Sequence, residues 1–144
     1  LAGFDLLVAG SGPYADDLVA LAADVGVRGR VEFLGYVPDG RLPGLYAGAD
    51  AFLALSSFEA YGMTVGEALA SGTPCVVRST GALVDWLDAA GCVGVDDPTP
   101  AAVAEAVSRA RGRTPDGDRL VTWDAVTDRV EACYNSVLSA PGGG

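Results

Sequence analysis

Two carboxylates stand out in the stretch SSFEAYGMTVGEALASGTPCVV, residues 56–77. Seven residues separate Glu59 from Glu67, and Gly62 lies between them. Glu59 follows an apolar run and falls in a segment unsuited to helix. Glu67 falls in one that suits a helix, from about Thr64 to Ser71. At about 100° per residue, Glu67 lies roughly 200° round from Val65, so it points outward when Val65 and Leu69 face a core. The free N–H groups and dipole of a helix start suit an anion. Gly62 allows a ligand to approach the backbone closely. Carboxylates on either side of such a helix start accept hydrogen bonds from hydroxyls that flank a diphosphate. A nucleotide-sugar has that shape. A plain loop acid and a solvated helix glutamate would carry the same two letters, so the spacing alone does not decide.

The elements around this stretch alternate. FDLLVAG (4–10) is a short apolar run ending in glycine, as expected of a strand buried on both faces. A helix follows, with Leu18, Leu21, Ala22 and Val25 on one stripe, Pro13 in its first turn and Gly26 as its stop. RVEFLGYV (30–37) is the next strand, and Asp39 is placed to cap a short helix carrying Leu42, Leu45, Tyr46 and Ala49. AFLALS (51–56) and TPCVVRS (73–79) are strands on either side of the Glu67 helix. ALVDWLDAA reads as a helix aligning Leu83, Trp86, Leu87 and Ala90, and CVGV as a strand. Thr99–Pro100 opens a helix with Val103, Ala106, Val107 and Ala110. TWDAVTDRVEACYNSVL is a last amphipathic helix. Such alternation predicts an α/β fold, a Rossmann-like parallel sheet with helices on both faces. Ligands of such sheets bind at the carboxyl ends of the strands, after Ala9, Phe33, Ser56 and Arg78. Residues 1–139 are expected to form one domain, and 140–144 a disordered tail.

Composition narrows the function. The 144 residues carry a formal charge of −10, and every one of the nine basic residues is arginine. That balance argues against nucleic acid and against anionic membranes. No apolar run approaches the ~20 residues that span a bilayer. There is no histidine, which removes the usual base near neutral pH and the commonest metal ligand. Cys75, Cys92 and Cys133 are odd in number and far apart, which argues against a disulfide framework or a zinc site and for a reducing cytoplasm. The start at Leu1, without Met and directly before a strand, gives the expectation that the chain is a fragment of something longer.

The residues around the two glutamates add a specific signal. Ser56, Glu59, Tyr61, Gly62, Glu67, Ala68, Leu69, Ala70, Gly72, Thr73, Pro74, Val76 and Val77 together resemble the E-x7-E signature of retaining GT-B glycosyltransferases of the family-four (group one) type. VAGSGP resembles that family's glycine loop. RVEFLGYV resembles its base-binding strand, and LPGLYAGAD its following helix. The resemblance covers nearly the whole chain and implies the C-terminal, donor-binding half of a two-domain enzyme.

The resemblance also implies roles. Glu59, as the catalytic candidate, contacts the donor sugar's hydroxyls near the reacting carbon, and Glu67 the ribose. Backbone groups of Gly62, Met63 and Thr64 hold sugar and diphosphate. Gly35, Tyr36 and Val37 border the base, and Gly10 and Gly12 line the crevice. A nucleotide-diphosphate sugar is the donor substrate, with no cofactor and no metal. The partner is an N-terminal acceptor-binding domain, absent from this chain along with the family's diphosphate-neutralising Arg and Lys. Contact of the full-length enzyme with a membrane or lipid acceptor stays open, as do the oligomeric state, the sugar, the base and the acceptor. The family's Gly-Gly-x-x-Glu stands here as Gly81–Ala82–Leu83–Val84–Asp85. The chain alone is expected to fold, to bind donor weakly and not to catalyse.

Other readings compete. GSGPYA (10–15) fits the dinucleotide pattern G-x-G-x-x-A, but the next strand lacks the ribose-binding acid. A nucleotide-sugar epimerase of similar fold and a non-catalytic nucleotide-sugar-binding module are the alternatives. Trp86, Trp123 and Tyr134 read as core or as a former interdomain surface. Arg78 reads as a solvated strand end. Asp16–Asp17, Asp96–Asp97 and Asp116–Asp118 read as solvated loops and helix starts.

Overall fold

The computed structural model describes residues 3–116 and 121–139. Its best-packed part is a three-stranded parallel sheet, β3 (Phe52–Ala54), β4 (Cys75–Arg78) and β5 (Cys92–Val95), with β4 in the middle. Phe52 pairs with Cys75, and Cys75 with Cys92. Successive side chains of a strand point to opposite faces, and β4 serves two cores accordingly. Cys75 and Val77 join Val65, Leu69, Leu83 and Trp86 on one face. Val76 joins Val93, Val95, Val103, Ala106, Val107 and Ala110 on the other. Helices therefore cover both faces, as the alternation predicts.

Two helices make these faces. In α3 (Met63–Ala70), Val65, Ala68 and Leu69 are buried at the i, i+3, i+4 spacing of one stripe. Gly72, at φ +82°, ends it: its N–H donates to the Leu69 carbonyl at 3.0 Å, and the N–H of Thr73 to that of Ala68 at 2.9 Å. That pair of bonds is a Schellman stop, which glycine favours. The chain is thus turned directly into β4. α4 (Pro100–Ala110) starts as its sequence predicts, with the Thr99 hydroxyl accepting from the Ala102 N–H at 3.2 Å.

The first βαβ unit is a separate ladder. β1 (Leu6–Ala9) pairs in parallel with β2 (Val31–Gly35), and α1 (Ala15–Asp24) joins them. The sheet is thus in two pieces among the described residues, because no strand hydrogen-bonds β1 to β3. β1 is not buried on both faces: Leu6 and Leu7 are 44% and 48% exposed. On the α1 stripe only Ala22 is buried, while Leu18, Leu21 and Val25 are exposed. The apolar pattern is there, but little in the described residues covers it.

Other boundaries differ for local reasons. Pro13 precedes α1 by a turn instead of lying within it. Asp39 opens a 3-10 turn before α2 (Leu42–Ala47), and no side chain caps either element. Residues Gly81–Trp86 form a 3-10 helix. Leu83 and Trp86, three apart as the 3-10 repeat sets, are buried in it, and Ala89 beyond its end joins the same core. Leu87 and Ala90, which α-helical spacing would bury with them, are only partly covered, Leu87 against the same core. α5 (Trp123–Leu138) is capped by Thr122, yet Trp123 and Tyr134 are exposed, so of the three aromatic residues singled out only Trp86 is core. No helix among the described residues is long and apolar enough to cross a membrane. The expected tail, 140–144, lies outside the described residues.

Candidate functional site

The carboxyl end of β3 leads into the loop that carries Glu59, and that loop ends at the N-terminus of α3. Gly62 is the hinge. It adopts φ +82° and ψ +43°, a left-handed conformation that disfavours any side chain. Its carbonyl accepts from the N–H of Val65 at 2.9 Å and of Gly66 at 3.3 Å. The N–H groups of Met63 and Thr64 are left outside the intrahelical ladder, and no side chain caps this end. The start of α3 is therefore an open set of donors at the positive end of the helix dipole.

Trp86 supports this corner from beneath. Its indole N–H donates to the Tyr61 carbonyl at 2.8 Å, and its ring meets that of Tyr61 edge-on at 5.9 Å. The indole also fills the space beside Gly62 and Gly66, which only glycine leaves open. Gly81, after β4, comes against the Glu59 backbone: a Cβ there would stand 3.5 Å from the Glu59 carbonyl oxygen. Loops after two neighbouring strands thus meet at Glu59.

Glu59 is half-buried, and one carboxylate oxygen accepts from the Ala60 N–H at 3.1 Å. Glu67 is exposed on the outer side of α3, while Val65 and Leu69 face the core, as the helical spacing requires. The Tyr46 hydroxyl donates to Glu67 Oε2 at 3.0 Å. Burial, and then the bond to Glu67, push the Tyr46 phenol up to about 12. Glu59, Gly62, Met63, Thr64 and Glu67 therefore share one loop and helix.

A second group gathers at the ends of β1 and β2. The ladder skips Leu34, so that Ala9 pairs with Gly35, and the Gly10 N–H donates to the Gly35 carbonyl at 2.8 Å. Gly10 and Gly35 both hold positive φ, at +125° and +62°. This joins Gly10 to Gly35; Gly12 follows in the first loop, and Val37 and the exposed Tyr36 follow β2. The two groups sit on different ladders, and no hydrogen bond joins them among the described residues. The link is α2, which follows β2 and reaches α3 through Tyr46. Among the described residues, no cluster of three His, Cys, Asp or Glu side chains could hold a metal ion.

The profile of one family, described as "Glycosyl transferases group 1", matches residues 2–111, well over half of the chain. The chain belongs to the group 1 glycosyl transferases. Among curated relatives, a D-inositol 3-phosphate glycosyltransferase of Actinosynnema mirum is 32% identical over 138 residues, covering 83% of this chain and 31% of its own length. An uncharacterized glycosyltransferase of Methanocaldococcus jannaschii is 44% identical over 80 residues, covering 56% of this chain and 20% of its own. The chain thus spans a fifth to a third of the length of these relatives. Two solved structures share the fold. Sucrose-phosphate synthase of Thermosynechococcus elongatus superposes at a TM-score of 0.76 with 23% identity, over 95% of this chain and 39% of that one. Anabaena HepE in complex with UDP superposes at 0.67 with 21% identity, over 76% and 31%.

Two side chains of the site, Tyr46 and Trp86, are not legible as such in sequence spacing, and a third residue, Arg78, differs from its expected exposure. Sequence spacing places Tyr46 only on an apolar helix stripe. Trp86 reads from sequence as core or as a former interdomain surface, without its contact to the Gly62 turn. Arg78, read as a solvated strand end, is partly buried at the end of β4, and its Nε has no hydrogen-bond partner among the described residues. The contacts of Tyr46 with Glu67 and of Trp86 with the Gly62 turn join residues far apart in sequence, which helical or strand spacing does not report.

Proposed function

We propose that this domain binds the nucleotide-diphosphate sugar donor of a retaining glycosyltransferase and that the whole protein transfers the glycosyl group to an acceptor hydroxyl. The observation that carries the reading is the uncapped, glycine-opened start of α3 between Glu59 and Glu67. A diphosphate bridging to the Met63 and Thr64 N–H groups gains from unpaired donors and the helix dipole. Glu59 then accepts from donor-sugar hydroxyls near the reacting carbon, and Glu67 from the ribose. The Gly35–Val37 main chain borders the base, and Gly10 and Gly12 line the crevice. The departing diphosphate assists deprotonation of the acceptor, so that half of the chemistry asks for no histidine here. The HepE complex with UDP and the names of the relatives support the donor class; they leave the sugar and acceptor of this protein open.

The test is a heteronuclear NMR titration with UDP, GDP and ADP and their sugar conjugates, with Glu67→Ala as control. The reading expects shifts at Gly35–Val37 and Glu59–Glu67 that the substitution removes. Unmoved resonances at millimolar ligand, both in this chain and in one extended upstream, would sink it.

A further inference from the structure

We infer that Tyr46 is a positioning residue, which holds the Glu67 carboxylate in one orientation for its ligand. The inference deepens the proposed function, because it rests on Glu67 as the ribose-binding carboxylate. Glu67 stands exposed on the outer side of α3, where a glutamate ordinarily samples several rotamers. Here one oxygen is tied: the Tyr46 hydroxyl donates to Oε2 at 3.0 Å. A hydrogen bond that ends on a charged group is among the stronger kinds.

Tyr46 is itself held at both ends. Its carbonyl accepts from the buried Thr73 hydroxyl at 2.5 Å, just after the stop of α3. Its ring meets Phe52 of β3 edge-on, with centroids 5.4 Å apart. The phenol is thus fixed against α3, β3 and the turn into β4 before any ligand arrives. A fixed donor spares the ligand the entropy of ordering the Glu67 side chain, which is the energetic content of preorganisation. Oε1 has no hydrogen-bond partner among the described residues and is left to a ligand. The raised phenol value keeps the proton on Tyr46, so the group stays a donor at every physiological pH.

The test compares Tyr46→Phe with Glu67→Gln in the intact protein, using UDP, GDP and ADP as probes, together with the 2′,3′-dideoxy form of the tightest binder. Tyr46→Phe keeps the ring against Phe52 and removes only the hydroxyl. The inference expects it to weaken the tightest nucleoside diphosphate on the order of tenfold and to leave the dideoxy form unchanged. It also expects Tyr46→Phe to add nothing in a Glu67→Gln background. A ligand-free readout stands beside this: the ¹³Cζ resonance of Tyr46 should titrate at lower pH in Glu67→Gln. Unchanged affinity in Tyr46→Phe overturns the inference, as does an unmoved phenol titration in Glu67→Gln. Affinity lost in Glu67→Gln but kept in Tyr46→Phe overturns the positioning role while the ribose reading survives. If Glu67→Gln also binds normally, the ribose reading falls with it.

Discussion

The indole of Trp86 lies against the hinge glycine of the site: a Cβ built on Gly62 would stand 3.0 Å from Trp86 Nε1 and 3.1 Å from Leu83 Cδ2. The same indole hydrogen-bonds the Tyr61 carbonyl one residue earlier. One core side chain therefore sets both the position of the Glu59–Gly62 loop and the residue type allowed at its hinge.

Gly62→Ala should be destabilising for two reasons, since it adds a left-handed alanine and a crowded methyl. The expected cost is on the order of 2 kcal/mol. Urea unfolding checks it, and an unchanged midpoint would show that the loop relaxes away from Trp86 at little cost.

Gly66 offers a sharper test of the same contact, because a Cβ there would lie 3.0 Å from Trp86 Cη2. In the parent protein Gly66→Ala is expected to cost about 1–3 kcal/mol. In a Trp86→Leu background the clash is gone, and alanine's helix propensity should make the change neutral or stabilising by up to about 1 kcal/mol. A double-mutant cycle measures the coupling. Additive effects would refute the contact.

The Tyr46 phenol ties stability to alkaline pH. Its folded value of about 12 exceeds that of an unfolded tyrosine, about 10, so the folded state holds the proton more tightly. The resulting stabilisation is fully present below about pH 10 and is lost as pH rises through about 12. The parent should therefore lose more stability than Tyr46→Phe over that window. Parallel denaturation curves for the two proteins from pH 9 to 12 (roughly the range bracketing both values) would contradict it.

Cys75 and Cys92 are register partners on β4 and β5, and both are buried, whereas Cys133 is exposed on α5. The interaction with Cys92 and burial push the Cys75 thiol well above the usual range, which suppresses the reactive thiolate. A maleimide should label Cys133 alone in the native protein, and Cys75 and Cys92 only after unfolding. Rapid native labelling of Cys75, located by peptide mass, would mean that the β4–β5 seam opens.

What the sequence determined by itself is the local part of this protein. The stripe Val65, Ala68, Leu69, the stop at Gly72 and the caps at Thr99 and Thr122 depend on neighbours within about one turn, and periodicity and capping chemistry report those directly. The outward direction of Glu67 follows from the same geometry. The long gapped match around Glu59 and Glu67 pointed to a glycosyltransferase family, and the family match agrees. The tertiary structure decided what depends on distant partners. Residues 81–86 wind as a 3-10 helix that brings Leu83 and Trp86 to one core, a choice that α-helical spacing misreads. The apolar stripes of β1, α1 and α5 look like core in sequence yet stand exposed, because burial depends on what lies opposite. The contacts of Tyr46 with Glu67 and of Trp86 with Gly62 join positions 21 and 24 residues apart. Only the packing of α2 and the 3-10 helix against α3 brings those side chains together.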